Sequence, residues 1–245
     1  MSFLLESLQY QIQAVGAIVE VFKGTPRQVP GFWQGTTVYS NRCPLSGEEL
    51  SRNLDVAARK YLKDPTSLEK SVTPAQPFPL ELCIEMETGT GKTLVYLKSI
   101  YALYKQYGWS KFVIVVPSVA IRAGVLSSLN SFGSQLADQH QLNSSISHFE
   151  YDSAKLTRLK QFITNTEPQI MVMTLQSFSA DDRVINRSGR DDAIDGKPGL
   201  KRWPNVTRWC SWTSHKKEWI RTTPLNDLPV STPLPSSVFP QPTPW

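Results

Sequence analysis

Cysteine is scarce: Cys43, Cys83 and Cys210 are the only three. They are odd in number, far apart and without a Cys-x-x-Cys pair, so neither a disulfide framework nor a zinc site is supported, and a reducing cytoplasm is the expected compartment. Long apolar runs are missing too. No stretch reaches the ~18 apolar residues of a membrane span, and Met1 is not followed by the basic start and apolar run of a secretory leader. No internal repeats are visible, which argues against a solenoid or propeller. Acidic residues are outnumbered, 21 Asp and Glu against 26 Lys and Arg, for a net charge of +5. That balance suits a polyanion partner and equally suits a solvated surface. Otherwise the composition is ordinary: 245 residues, 40% of them hydrophobic, can bury one sizeable core or two small ones.

Against that background one segment stands out. Residues 82 to 93, Leu-Cys-Ile-Glu-Met-Glu-Thr-Gly-Thr-Gly-Lys-Thr, run from a short apolar strand into a glycine-rich turn that closes on Lys-Thr and opens a helix. This is the pattern of a phosphate-binding loop. Gly89 and Gly91 let the backbone wrap an anion with N–H groups inward, around Thr90, while Lys92 and the helix start bring positive charge to the β- and γ-phosphates. Thr93 is placed to hold Mg²⁺ through its hydroxyl. The strict pattern has glycine where this chain has Met86, so specificity comes from context. That context is a strand before the loop and an amphipathic helix after it (Leu97, Ile100, Tyr101, Tyr104) stopped by Gly108.

From residue 82 to about 178 strand and helix alternate. Phe112 to Val116 reads as a strand buried on both faces, Val119 to Phe132 as a helix capped by Ser118 and closed by Gly133, and Ile146 to Tyr151 as a weaker strand. A helix over Ala154 to Ile163 and a strand over Ile170 to Met173 follow, with Arg158 and Lys160 reading as solvated helix charges. Such alternation implies a parallel sheet covered by helices, whose ligands lie beyond the carboxyl ends of the strands. The loop at 86 to 93, Pro117-Ser118 and Thr174 to Ser177 fall at such ends. The first 80 residues read instead as two helices, Leu8 to Val21 and Glu48 to Leu62, the second opened by the capping box Ser46-x-x-Glu49. Loop-like stretches rich in Pro and Gly lie at Gly24 to Pro44 and Thr73 to Pro79.

Four segments together, Tyr10-Gln11-Ile-Gln-Ala-Val, Met86 to Thr93, Val113-Ile-Val-Val-Pro-Ser-Val-Ala-Ile121 and Met173-Thr-Leu-Gln-Ser-Phe178, resemble the restriction (Res) subunit of type III restriction-modification enzymes, which are superfamily 2 helicase-like proteins. The resemblance covers about residues 5 to 190 and includes the exchange at Met86. It implies a RecA-like P-loop NTPase fold with ATP and Mg²⁺ as cofactors. It also implies double-stranded DNA as substrate and a modification methyltransferase subunit as partner. Gln11 would read the adenine edge; Gly89, Thr90, Gly91, Lys92 and Thr93 would hold the triphosphate and Mg²⁺. Pro117, Ser118, Arg122, Thr174, Gln176 and Ser177 would track the DNA backbone. Plainer readings stand beside these: Gln11 as a polar residue on a helix face, Pro117-Ser118 as a strand stop and helix cap, Gln176 and Ser177 as turn residues.

A motor of this kind also needs an apolar strand ending in Asp-Glu, because Mg²⁺ needs a carboxylate and the attacking water needs a positioner. None exists in frame. Asp181-Asp182 and the cluster Asp191 to Asp195 follow no apolar strand. The tail from Lys201 holds five of the seven tryptophans and eight of the eighteen prolines, with only Glu218 and Asp227 acidic. A disordered tail is one explanation. Codon boundaries suggest another: in the shifted frame the Trp209/Cys210 junction must read GTG, valine, and the Trp212/Thr213 junction GAC, aspartate. That frame admits Val-Leu-Leu-Asp-Glu-Pro-Gln across residues 209 to 216, so a frameshift between about Asp195 and Arg202 is expected.

The sequence therefore predicts the N-terminal part of a Res-like motor, without its second motor domain or nuclease. Residues 1–80 form a helical extension, 81–200 an incomplete RecA-like domain, and 201–245 an irregular or out-of-frame tail. A non-hydrolysing nucleotide- or DNA-binding interaction module is the alternative. The absence of an arginine-rich lid weighs against a small-molecule kinase.

Overall fold

The computed structural model describes residues 5–6, 8–28, 41–61, 80–87, 89–152 and 155–177, together with the backbone of two strands at 206–211 and 217–223. The loop-like stretches expected within 29–40 and 73–79, the acidic clusters of 181–195 and the rest of the tail lie outside the described residues. Two helices come first, α1 (Gln9–Val21) and α2 (Gly47–Tyr61), then β1 (Leu80–Glu85), α3 (Lys92–Tyr107), β2 (Lys111–Val116), α4 (Val119–Gln139), β3 (Ser147–Glu150), α5 (Leu156–Thr164) and β4 (Gln169–Thr174). A single 3₁₀ turn, Leu175–Ser177, follows β4, and the two later strands are β5 (Val206–Ser211) and β6 (Lys217–Thr223).

The strands form one sheet in the order β1-β6-β5-β2-β4-β3. β2, β4 and β3 pair in parallel, and β5 joins β2 in parallel. β6 is antiparallel to both β5 and β1, so β1 points the same way as β2. This is the helix-flanked parallel sheet of a RecA-like α/β fold, with β6 reversed. Both faces of its centre are filled: every residue of β2 is buried, and Ile170 to Thr174 of β4 are buried as well. An all-apolar run such as Phe-Val-Ile-Val-Val has no solvent face to offer, which is why it sits in mid-sheet.

Helix ends follow the sequence closely. Ser46 Oγ accepts from Glu49 N at 3.2 Å while Glu49 Oε2 accepts from Ser46 N at 2.7 Å, the reciprocal pair of a capping box. These bonds hold the Glu49 carboxyl below its ordinary pKa. Ser118 Oγ accepts from Ile121 N at 3.3 Å and caps α4. Gly108 ends α3 in the left-handed conformation (φ 68°), its N–H donated to Tyr104 O.

Three expectations change. α4 runs through Gly133 to Gln139, because Gly133 is buried where the Tyr101 hydroxyl approaches its carbonyl (3.3 Å); contact, not termination, explains that glycine. α3 is not one-sided: Val95 to Tyr101, Leu103 and Tyr107 are buried, since α1 covers the face turned from the sheet. Finally, the tail is not irregular throughout, because 206–211 and 217–223 are strands. Val-Thr-Arg-Trp-Cys and Trp-Ile-Arg-Thr-Thr are rich in β-branched and aromatic residues. The place between β1 and β2 offers unpaired backbone donors and acceptors to any extended segment.

The N-terminal helices share the core of the sheet domain. Ile18, Val21 and Phe22 pack with Leu50, Leu54 and Ala57 and with Leu97, Ile100 and Tyr101 in one apolar cluster that reaches Ile114 and Val172. Phe22 meets Trp109 edge-on at 4.7 Å between ring centroids. The floor of the sheet is pinned by Asn41, whose Oδ1 accepts from Ser110 N (2.9 Å) and Lys111 N (3.0 Å) and whose Nδ2 donates to Lys111 O (2.6 Å).

Candidate functional site

The carboxyl ends of β1, β2, β4 and β5 lie on one edge of the sheet, which collects the chemistry-bearing segments. After β1 the chain turns through Gly89 (φ 82°) and Gly91 (φ 81°), with Thr90 between them outside the positive-φ region. Thr90 N donates to Glu87 O at 3.4 Å inside the turn, so the donors offered to an anion are those at the start of α3. The positive φ calls for glycine at position 91, and a Cβ there would stand 2.7 Å from Gln11 Nε2 and displace that amide. α3 begins directly at Lys92 with Gly91 as N-cap and no acidic residue in its first turn, which leaves the positive end of the helix uncompensated. The Lys92 ammonium donates to Met86 O (3.0 Å) and Glu87 O (3.1 Å), lying across the loop. Thr93 follows in that first turn, half-buried. The residues present therefore fit a bound polyphosphate: backbone donors, a movable ammonium and a hydroxyl where a magnesium ion would sit.

Gln11 belongs to this site. Although α1 lies some 80 residues upstream, its Gln11 Nε2 donates to Thr90 O at 3.1 Å, and the Tyr10 hydroxyl donates to the same oxygen at 2.9 Å. Gln11 Oε1 accepts from Lys98 Nζ at 3.1 Å. Gln11 and Lys98 are only 3% and 5% exposed, and burial pulls the Lys98 pKa down. Sequence reasoning missed Lys98, which lies in a helix that no local signal ties to α1. Tyr10 was visible only as the neighbour of Gln11.

The remaining candidate residues gather elsewhere on the same edge. Val116 and Thr174 are register partners, so Pro117-Ser118 and Leu175 to Ser177 leave the sheet side by side. Thr174 Oγ1 and Ser177 Oγ bond to each other at 3.1 Å, both buried, while Gln176 is exposed. Arg122, one turn into α4, is paired with Glu150 of β3 at 2.6 Å. Three strand spacings separate β1 from β2, about 14 Å, so the loop and this second cluster are distinct patches. At the carboxyl end of β5 the sequence reads Cys210-Ser211-Trp212-Thr213, without a carboxylate. Among the described residues no cluster of His, Cys, Asp and Glu could hold a metal by itself, and no helix is long and apolar enough to cross a membrane.

Comparison with known proteins agrees with the geometry. Residues 4–197 match the family described as type III restriction enzyme, res subunit. Over 140 residues, 57% of this chain, it is 32% identical to the StyLTI Res subunit of Salmonella typhimurium, covering 11% of that protein. Over 48 residues, 20% of this chain, it is 50% identical to the EcoP15I Res subunit of Escherichia coli and to the EcoPI Res subunit of Escherichia phage P1, covering 5% of each. The chain thus spans a small fraction of the length of the curated relatives it matches. With a family match over most of its length and a helicase-like sheet carrying a glycine loop, the chain belongs to the Res subunits of type III restriction enzymes.

Proposed function

We propose that this chain is the ATP- and DNA-binding part of a restriction motor, and that it binds Mg-ATP without appreciable hydrolysis. The observation that carries this reading is the loop at Gly89 to Thr93, with its two positive-φ glycines and an ammonium poised over it. Gly89, Thr90, Gly91 and Lys92 bind the triphosphate, and Thr93 supplies a hydroxyl to Mg²⁺, whose part when bound is to neutralise charge between the β- and γ-phosphates. Gln11 lies near enough to the loop to meet the base. Pro117, Ser118, Arg122, Thr174, Gln176 and Ser177 form the DNA-facing patch. Arg122 would have to exchange Glu150 for a phosphate.

In the intact protein this part would work with a second motor domain, a nuclease and a modification methyltransferase subunit on double-stranded DNA in the cytoplasm. Here the stretch just after β5, Ser211 to Lys217, carries no carboxylate to position the attacking water. The end of the family match at residue 197 and the codon constraints across 209 to 216 both support a frameshift near Asp195 to Arg202. Sequencing the gene through codons 190 to 245 tests it: stops in the shifted frame, or the absence of aspartate and glutamate codons in succession, would end that idea.

The pairing of β5 and β6 within the sheet favours a second reading, a non-hydrolysing nucleotide- or DNA-binding module in which these strands are native parts. Turnover assays separate the readings from a working motor. The expected outcome is Mg-ATP binding with no DNA-stimulated phosphate release; release at a motor's rate, abolished by Lys92→Ala, overturns the proposal.

A further inference from the structure

We propose that Lys98, Gln11 and Tyr10 form a positioning chain that presets the glycine loop for phosphate, a role additional to any contact Gln11 makes with a base. This rests on the reading of Gly89 to Thr93 as a phosphate site. The chemistry of the partners fixes the Gln11 amide. An ammonium can only donate, so the atom facing Lys98 Nζ must be Oε1, and a carbonyl can only accept, so the atom facing Thr90 O must be Nε2. Lys98 therefore sets which end of the amide reaches the loop. If the amide turned over, its NH₂ would face the ammonium and its oxygen would face the Thr90 carbonyl, two like-polarity contacts at a residue that is 3% exposed.

The consequence lies in the next peptide plane. In a trans peptide the carbonyl oxygen and the following N–H point in opposite directions. With Thr90 O drawn toward α1 by both the Tyr10 hydroxyl and Gln11 Nε2, the Gly91 N–H is directed away from α1. Gly91 then passes with φ 81° into α3, whose first N–H groups lack intrahelical partners. The carbonyl clamp thus holds a donor in the orientation that an anion at the helix start requires, before the anion arrives. A loop held in this way avoids the ordering cost on binding.

Titration with inorganic tripolyphosphate and Mg²⁺ isolates this role, because that ligand has no base. Calorimetry on the full chain would compare it with Mg-ATP for the wild type, Lys98→Met, Gln11→Ala, the double variant and Tyr10→Phe. Removal of one buried partner should weaken tripolyphosphate about 10-fold for Lys98→Met and Gln11→Ala, and loss of the half-exposed Tyr10 hydroxyl about 3-fold. ATP should weaken by at least the same factors. Because Lys98 acts through Gln11, the double variant should be no weaker than Gln11→Ala, whereas a merely structural lysine would add its own loss. Weakened ATP with unchanged tripolyphosphate would assign Gln11 to the base and overturn the proposal. Additive losses in the double variant would also overturn it. If Lys98→Met fails to fold, Tyr10→Phe, at an exposed position, decides alone: unchanged tripolyphosphate affinity refutes the clamp. Should the wild type bind neither ligand, the phosphate site itself is wrong, a failure distinct from that of the clamp.

Discussion

The two edges of the sheet use one device to opposite ends. At the amino edge, side chains from the N-terminal segment reach backbone groups of the sheet domain and close them off: Asn41 takes both N–H groups of Ser110 and Lys111 and returns a donor to Lys111 O. Trp109 Nε1 donates to Arg42 O there, and the buried Lys111 ammonium donates to Glu167 O at 2.9 Å beside the Phe162 ring. At the carboxyl edge the same segment contributes Tyr10 and Gln11, which engage the carbonyl of Thr90 and turn the Gly91 N–H away from α1. One edge satisfies the backbone and gives stability; the other, on the proposed reading, aims it at a phosphate. Substitutions at the two edges should therefore separate into those that change stability and those that change affinity.

The largest expected effect on stability is at the closed edge. Asn41→Ala leaves two buried N–H groups and one carbonyl without that partner and should cost about 3 kcal/mol, read as a shift in the urea midpoint, while Mg-ATP affinity stays as it was. A fall in affinity without a fall in stability would erase the distinction between the edges.

Lys111 gives a comparable effect that pH reveals. Burial pulls its pKa from the ordinary 10.5 down to about 8. Between those values the unfolded chain binds a proton that the folded chain does not, so stability rises with pH across that window, and the penalty is fully present below it. Measured against Lys111→Met, wild-type stability should climb by up to about 3 kcal/mol from pH 8 to 10.5; a flat difference would show that the amine is solvated.

Gly91→Ala tests the open edge. A positive φ and a Cβ at 2.7 Å from Gln11 Nε2 strain the loop, so about 2 kcal/mol should be lost. The loss should appear mostly as weaker Mg-ATP binding, compared by calorimetry. The smallest effect belongs to neither edge: Ser46→Ala removes one half of the α2 capping box and should cost about 1 kcal/mol in thermal unfolding with no change in affinity.

The legible parts of the molecule were those whose cause is local. An apolar strand ending in Gly-Thr-Gly-Lys-Thr, a capping box, and Ser118 ahead of an apolar helix each carry their reason within a few residues, and each is found where the sequence puts it. Gly133 misled because glycine serves both to end helices and to admit a neighbour, and the neighbour, Tyr101, lies 32 residues upstream. α3 read as one-sided because nothing in it announces that α1 would cover its outer face. Lys98 stayed hidden for the same reason, its partner lying 87 residues away. The strands at Val206–Ser211 and Lys217–Thr223 were missed because backbone pairing asks little of the side chains, and proline and tryptophan content drew attention from the β-branched stretches between.

The central claim is that the backbone around Gly89 to Thr93, with Lys92, wraps the phosphates of ATP. Calorimetric titration of the wild type and Lys92→Ala with Mg-ATP addresses it directly. Saturable one-site heat in the wild type, lost in the variant at unchanged thermal stability, is the predicted result; no heat beyond that of the variant contradicts the account.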